Sequence, residues 1–115
     1  MKLKGPDMNV ARYAEMLNAL GAEPRLRIMR PLLSAHPDGM VVGDIQKELG
    51  ITASTLSHHL EKLKNHDPVA VRRDGTFLWY SANAAALREL LAFLYSECCT
   101  RNPILNPDAV VHLKS

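Results

Sequence analysis

The chain has few of the residues that most chemistry relies on. It carries only two cysteines, Cys98 and Cys99, and they are adjacent. There is no Cys-x-x-Cys pair, no glycine-rich phosphate loop and no Ser-His-Asp series, and no βαβ pattern surrounds the thiols, which argues against an enzyme. No stretch approaches the roughly 18 apolar residues of a membrane span, so no membrane partner is expected. Met1 to Asp7 is basic and polar without an apolar run, unlike a secretory signal. The expected compartment is therefore the cytoplasm, where both thiols stay reduced. A bond between neighbouring cysteines would also close almost no loop and strain the backbone, so it is no structural staple. Charge of one sign is scarce too: 14 Lys and Arg against 12 Asp and Glu leave a net +2. That balance neither demands nor excludes nucleic acid, so the placement of the basic residues decides. No internal repeat or low-complexity segment interrupts the 115 residues, a length that suits one domain with a modest core.

What is present reads as helices, then a hairpin, then a helix. Asp7 can cap a first helix with Val10, Tyr13, Ala14, Leu17 and Leu20 on one face, ended by Gly21. A second helix starts near Pro24 and presents Leu26, Met29, Leu32 and Leu33; Pro31 inside it predicts a kink or an early end. His36-Pro37-Asp38-Gly39 is a turn and Met40 to Val42 a short extended piece. Asp44 to Leu49 forms a short helix stopped by Gly50. Thr52 can cap the next, which runs to about Asn65 with Leu56, Leu60 and Leu63 on one stripe. Two strand-like runs, Val69 to Arg73 and Thr76 to Tyr80, flank Asp74-Gly75, the strongest short hairpin signal. Asn83 caps a last helix with Leu87, Leu90, Leu91 and Leu94 together. The tail beyond, broken by Pro103 and Pro107, is no single helix.

A short helix, a glycine turn and a second amphipathic helix make a helix-turn-helix. With Leu56, Leu60 and Leu63 inward, about 100° per residue puts Ser54, His58 and Glu61 on the opposite side, flanked by Thr55, Ser57 and Lys62. Small hydroxyls allow close approach to DNA, and His58 and Lys62 can donate to phosphates or guanine. A solvated surface helix would show the same face, so the helix alone does not decide. The hairpin adds Arg72 and Arg73 at the tip of a ribbon, placed to meet phosphate or the minor groove. Residues 44–76 nevertheless hold five basic against five acidic side chains, so a DNA face must come from sorting charges, with help from Arg25, Arg27 and Arg30. The adjacent His58 and His59 point about 100° apart, cannot chelate one ion, and read as DNA or surface residues.

Three runs carry a resemblance. Leu20-Gly21-Ala22-Glu23-Pro24-Arg25-Leu26-Arg27-Ile28 resembles the second-helix signature of the ArsR/SmtB family of metalloregulatory repressors. Ser54-Thr55-Leu56-Ser57-His58-His59-Leu60-Glu61-Lys62-Leu63 is similar to its recognition helix, and Arg72-Arg73-Asp74-Gly75 followed by Trp79-Tyr80 to its wing. The resemblance covers about residues 10–100. It implies a mainly α winged helix-turn-helix fold of about five helices plus a two-stranded wing. Residues 1–102 would be the DNA-binding and dimerisation domain and 103–115 a tail. It further implies a homodimer paired through its first and last helices, bound to double-stranded operator DNA through Thr52, Ser54, Thr55, Ser57, His58, Lys62, Arg72 and Arg73, and released by an inducer. Asn65-His66-Asp67-Pro68 departs from the usual Ala-Gly before the strand, and Pro31 is a second departure.

The inducer follows from which family sites are missing. The third-helix cysteine pair would fall near Val41 and Gly43, and the last-helix zinc pattern needs histidines that residues 84–97 lack. Cys98 and Cys99 remain. Cys98 lies eleven residues after Leu87, about 20° round a continued helix, on the expected dimer face. Thiolates select soft, thiophilic ions, here trivalent arsenic or, as antimonite, antimony. Glu97-Cys98-Cys99 resembles the arsenic-responsive subgroup of the family, whose third cysteine would fall at Leu105 or Asn106 here. Two thiolates suit methylarsenite, which brings its own carbon; arsenite would keep a hydroxyl or borrow a partner's cysteine. The alternatives are a redox- or persulfide-responsive repressor using the same thiols, or two inert cysteines packed as small hydrophobes.

Overall fold

The computed structural model describes the backbone of residues 4–101 and the side chains of residues 10–101. Five helices and three short strands follow one another: α1 (Lys4–Leu20), α2 (Glu23–Ser34), β1 (Met40–Val41), α3 (Val42–Leu49), α4 (Ala53–Asn65), β2 (Val69–Asp74), β3 (Phe77–Ala82) and α5 (Ala84–Ser96). By contact the chain divides into two compact units, one ending at Ala84 and one beginning at Ala85. No helix among the described residues is long and apolar enough to cross a membrane.

The first unit is a winged helix-turn-helix. Tyr13, Met16 and Ala19 of α1, Ile28, Met29 and Leu32 of α2, Ile45 of α3 and Leu56, Leu60 and Leu63 of α4 form its buried core, closed by Val69 and Ala82 of the hairpin. The strands make an antiparallel sheet in the order β1-β3-β2, with Met40 opposite Tyr80, Val41 opposite Trp79, and Val69 opposite Ala82. The wing is thus the outer part of a three-stranded sheet, not a free two-stranded ribbon. A two-residue strand carries too little pattern to be distinguished from coil.

Several local expectations shift. α1 begins at Lys4, so Asp7 lies within it instead of ahead of it. The face that α1 buries is Tyr13, Met16 and Ala19, while Val10 and Leu17 are nearly half exposed and Ala14 is exposed. α2 runs through Pro31 to Ser34. Pro31 supplies no N–H to the Arg27 carbonyl one turn back, but its ring is buried with Leu32, and its own carbonyl still accepts from Ala35 N (2.9 Å) and Ser34 Oγ (3.0 Å). α3 starts at Val42, two residues early, because β1 ends at Val41.

The wing turn is Gly75-Thr76, with Asp74 paired to Phe77 inside the ladder. Only Gly75 has positive φ (+64°) there, the pattern of a turn with glycine at its first central position.

In the second unit α5 buries Ala86 and Leu90 and leaves Leu91, Leu94 and Tyr95 exposed. It ends at Ser96, where the Ser96 hydroxyl donates to the Phe93 carbonyl (2.8 Å). The cysteines therefore lie in the turn beyond the helix, and the stripe extrapolated from Leu87 does not reach them. Residues 103–115, including Leu105 and Asn106, lie outside the described residues.

Gly39 is the tightest point of the first unit. Its φ is +86°, and a Cβ there would press into the carbonyl oxygen of Tyr80 and come 3.0 Å from Ser81 Cβ. Gly39→Ala combines a left-handed backbone with a clash against the central strand, and is expected to cost about 2 kcal/mol or more. Urea denaturation measures this; a loss under about 0.5 kcal/mol would contradict it.

Candidate nucleic-acid interface and thiol pair

The helix-turn-helix is set by a few local bonds. Gly50 (φ 66°) ends α3, with its N–H donating to the Gln46 carbonyl at 2.7 Å. The Gln46 side chain then donates to the carbonyl of Ile51 (3.2 Å), fixing the turn. Thr52 caps α4: its Oγ1 accepts from Thr55 N at 3.3 Å and donates to Thr55 Oγ1 at 2.9 Å. The Thr52 hydroxyl is thereby used inside the protein, while the Thr55 hydroxyl keeps its proton for an outside acceptor.

Ser54, Thr55, Ser57 and His58 are all exposed on α4, and Lys62 is half-buried at the edge of the same face. The acids nearby are mostly engaged. Glu61 lies 3.4 Å from Lys64, Asp67 accepts from Arg12 at 3.1 Å, Glu15 faces His66 at 3.6 Å, and Glu23 pairs with Arg27 at 3.1 Å. His58, Lys62 and Arg73 make no side-chain ion pair or hydrogen bond among the described residues. Of the five acids in residues 44–76, Glu61, Asp67 and Asp74 thus have basic partners, while the exposed Asp44 and Glu48 of α3 have none among the described residues; what is left over is Lys47, Lys62 and Arg73 against those two.

The expected helpers divide likewise. Arg25 donates to the carbonyls of Ala19 (2.6 Å) and Asn18 (3.5 Å), capping α1, and Arg27 is committed to Glu23. Arg27 and Arg30 are both exposed, and of the three only Arg30 makes no ion pair or hydrogen bond among the described residues.

On the wing, strand alternation sends neighbours to opposite faces. Arg72 stacks over Trp79 (5.4 Å to the ring centroid), donates to the Asp38 carbonyl (3.1 Å) and approaches Asp74 (3.9 Å). It braces the wing. Arg73 projects from the other face, exposed. Phe77, which the sequence reading counted only as strand, is 60% exposed immediately after the turn.

His58 and His59 part company. Their rings stand 5.8 Å apart, tilted by 59°. His59 is half-buried and its Nδ1 is shielded from water without a hydrogen-bond partner, so it is no surface residue. Position 59 lies about 40° from Leu63 and about 60° from Leu56 on the helical wheel, at the edge of the buried stripe, which a closer count would have signalled. It lines an open groove of about 510 Å³ with Glu23, Arg27, Glu48 and Thr55. Burial, then the charges of Arg25 and His58, lower its pKa.

Asp67 occupies φ +87°, where a glycine would be unstrained, and the Arg12 pair holds it there. That explains how Asn65-His66-Asp67-Pro68 can replace a glycine turn.

Cys98 and Cys99 are half-buried, with sulfurs 2.9 Å apart. Cys98 N donates to the Tyr95 carbonyl (2.9 Å), and Cys99 sits at φ +64°. Hydrogen bonding to the Cys98 thiol, with lesser effects from burial and the Cys98 charge, raises the Cys99 pKa. An open cavity of about 480 Å³ lies beside Cys99, lined also by Glu97, Thr100 and Arg101. Among the described residues no group of three or more His, Cys, Asp or Glu side chains is arranged to hold a metal ion.

Known proteins share the helix-turn-helix fold of the first unit. A helix-turn-helix domain family matches residues 20–72. The nodulation protein NolR of Rhizobium meliloti is 33% identical over 91 residues, spanning 79% of this chain and 70% of NolR. The arsenical resistance operon repressor of Staphylococcus aureus is 30% identical over 84 residues, spanning 73% and 78%. The homodimeric winged helix-turn-helix DNA-binding domain Mb0332 of Mycobacterium bovis has the same fold, with a TM-score of 0.65 at 24% identity over 89% of this chain and 94% of that one. Fold and relatives define a DNA-binding transcriptional regulator, not an enzyme. The chain belongs to the ArsR/SmtB family.

The lowered His59 pKa has a consequence for stability. The folded chain resists protonating this ring, whereas the unfolded chain binds the proton near the ordinary value of about 6.5. Stability from this group is intact above that value and is lost as pH falls through it. Denaturation midpoints between pH 7.5 and 5 should fall less for His59→Gln than for the unmodified protein; parallel curves would contradict this.

Proposed function

We propose that the chain is a cytoplasmic, homodimeric transcriptional repressor that holds double-stranded operator DNA through α4 and the wing, and releases it when a trivalent arsenical joins Cys98 and Cys99. The observation that carries the DNA half is the sorting of charge. Glu61, Asp67 and Asp74 have basic partners, and the acids left without one among the described residues, Asp44 and Glu48, lie on α3, whereas the partnerless His58, Lys62 and Arg73 lie on α4 and the wing to face phosphate, with Ser54, Thr55 and Ser57 small enough for close approach.

Two apolar stripes support the dimer. Val10, Ala14 and Leu17 on α1, and Leu91, Leu94 and Tyr95 on α5, are exposed in the single chain. A second copy covers such surface at little cost, and the homodimeric Mb0332 domain has this fold. Two recognition helices then enter successive major grooves about 34 Å apart.

The inducer reading rests on the two sulfurs at 2.9 Å. Arsenite exchanges two hydroxyls for two thiols, releases two waters and keeps its third hydroxyl. Methylarsenite makes the same exchange and keeps its methyl. Each needs only the pair present, and the Staphylococcus aureus relative represses an arsenical resistance operon. Closing that ring changes the turn that follows α5, and α5 carries a proposed dimer stripe, so the spacing of the two DNA heads changes. A coupling of roughly 1–3 kcal/mol weakens operator binding about 5–150-fold.

The same sulfur separation favours a second reading, a redox switch. Hydrogen peroxide would take the two thiol hydrogens, leave a disulfide and yield two waters; the strained ring would be easily reduced. A persulfide would act on the same thiols. Release by peroxide but not by methylarsenite would select this reading.

Replacing both Cys98 and Cys99 by Ser should leave operator affinity unchanged and abolish release by arsenite and methylarsenite; normal release by the double variant would overturn the site. Arg73→Ala should weaken binding to most sequences alike and lower the salt slope by about one. An unchanged slope would remove the wing from the phosphate contacts.

A further inference from the structure

We infer that Phe77 is an apolar wedge, which packs into the minor groove beside each half-site and makes the protein prefer deformable base steps there. The inference rests on the DNA-binding reading and adds a specificity determinant to it. Phe77 is the most exposed large apolar side chain among the described residues, at 60%. It stands at the very tip of the sheet, directly after the Gly75-Thr76 turn, and its cross-strand partner is the short Asp74. Nothing at that position can cover a phenyl ring.

The charges at the tip make the ring its main asset. Phe77 shares a ribbon face with Arg72, Asp74 and Trp79. On that face Arg72 and Asp74 offset each other at 3.9 Å, and Arg72 is held further by Trp79 and the Asp38 carbonyl. The face is therefore electrically near neutral and apolar at its end, poorly suited to a row of phosphates. Arg73, on the opposite face, is the tip's one unpaired cation. A narrow minor groove rejects a helix but admits a ribbon tip. With Arg73 at a phosphate, the ring meets sugars and base edges. Apolar side chains placed this way part base steps and bend the duplex, at least cost where pyrimidine–purine steps flex easily.

The test uses the full chain, Phe77→Ala, Phe77→Leu and Arg73→Ala. The unmodified protein first selects duplexes from a randomised pool, and the selected duplex is the probe for binding and for bend angle by end-to-end energy transfer. Phe77→Ala should bind about tenfold more weakly with an unchanged salt slope, bend the duplex less and lose flanking pyrimidine–purine preference, while its half-site preference persists. Phe77→Leu should fall between the two. Phe77→Ala matching the unmodified protein in affinity, bend and flank choice would overturn the inference, as would a change confined to oligomeric state. If the unmodified protein enriches no sequence, the DNA-binding reading itself fails; if it does and Phe77→Ala is indistinguishable, only the wedge fails.

Discussion

Burial of Leu56, Leu60 and Leu63 decides which side of α4 meets solvent. Each is at most 1% exposed, and each contributes roughly 1.5–3 kcal/mol by leaving water. Turning the helix by one residue would expose all three and carry Ser54, Thr55 and His58 away from the outer face. The Glu61–Lys64 pair on the same helix contributes at most about 1 kcal/mol, too little to compete. Everything proposed for the DNA face is downstream of these leucines. The Gly50 turn and the Thr52 cap fix where the helix starts, and the leucines fix how it is rotated.

Charge acts differently. The pairs Arg12–Asp67, Glu15–His66, Glu23–Arg27 and Glu61–Lys64 are partly or largely exposed and add little stability. Each ion pair cancels a base along with its acid, so the surface field is shaped by where the groups partnerless among the described residues sit: His58, Lys62 and Arg73 on α4 and the wing, Asp44 and Glu48 on α3. A chain with a net charge of only +2 can then present a cationic patch without being a basic protein. Arg72 and Arg73 show the same division within two residues: one braces the sheet and the other is left for a partner.

Much of this was legible in the sequence, because three periodic signals are strong. Leucines at helical spacing, a glycine between two short helices and Asp-Gly between two β-rich runs each have few structural solutions. What escaped was set by tertiary contacts. Met40 to Val42 reads as extended, but its pairing with β3, which makes β1 a strand, does not show in the sequence. Pro31 reads as a helix breaker, yet α2 continues through it to Ser34 with the ring buried beside Leu32. His59 reads as surface beside His58, but borders the buried leucine stripe of α4 and is half-buried. The α1 stripe joins Val10, Ala14 and Leu17 to buried Tyr13, because one helix carries both a core face and an exposed apolar face, and sequence does not separate them. The end of α5 at Ser96 moved the cysteines from a helical stripe into a turn.

That shift sharpens the proposed switch. In a turn, two neighbouring thiols can face each other, as they do at 2.9 Å, which neighbours on a helix about 100° apart do not readily achieve. A two-thiolate site then needs an inducer satisfied by two sulfurs. The direct measurement is the number of arsenic atoms bound per chain for arsenite and for methylarsenite, with operator occupancy followed in the same titration. The account predicts one atom per chain for methylarsenite and DNA release that tracks its binding. Stoichiometric binding with the operator still occupied, or no binding to the reduced protein, would contradict it.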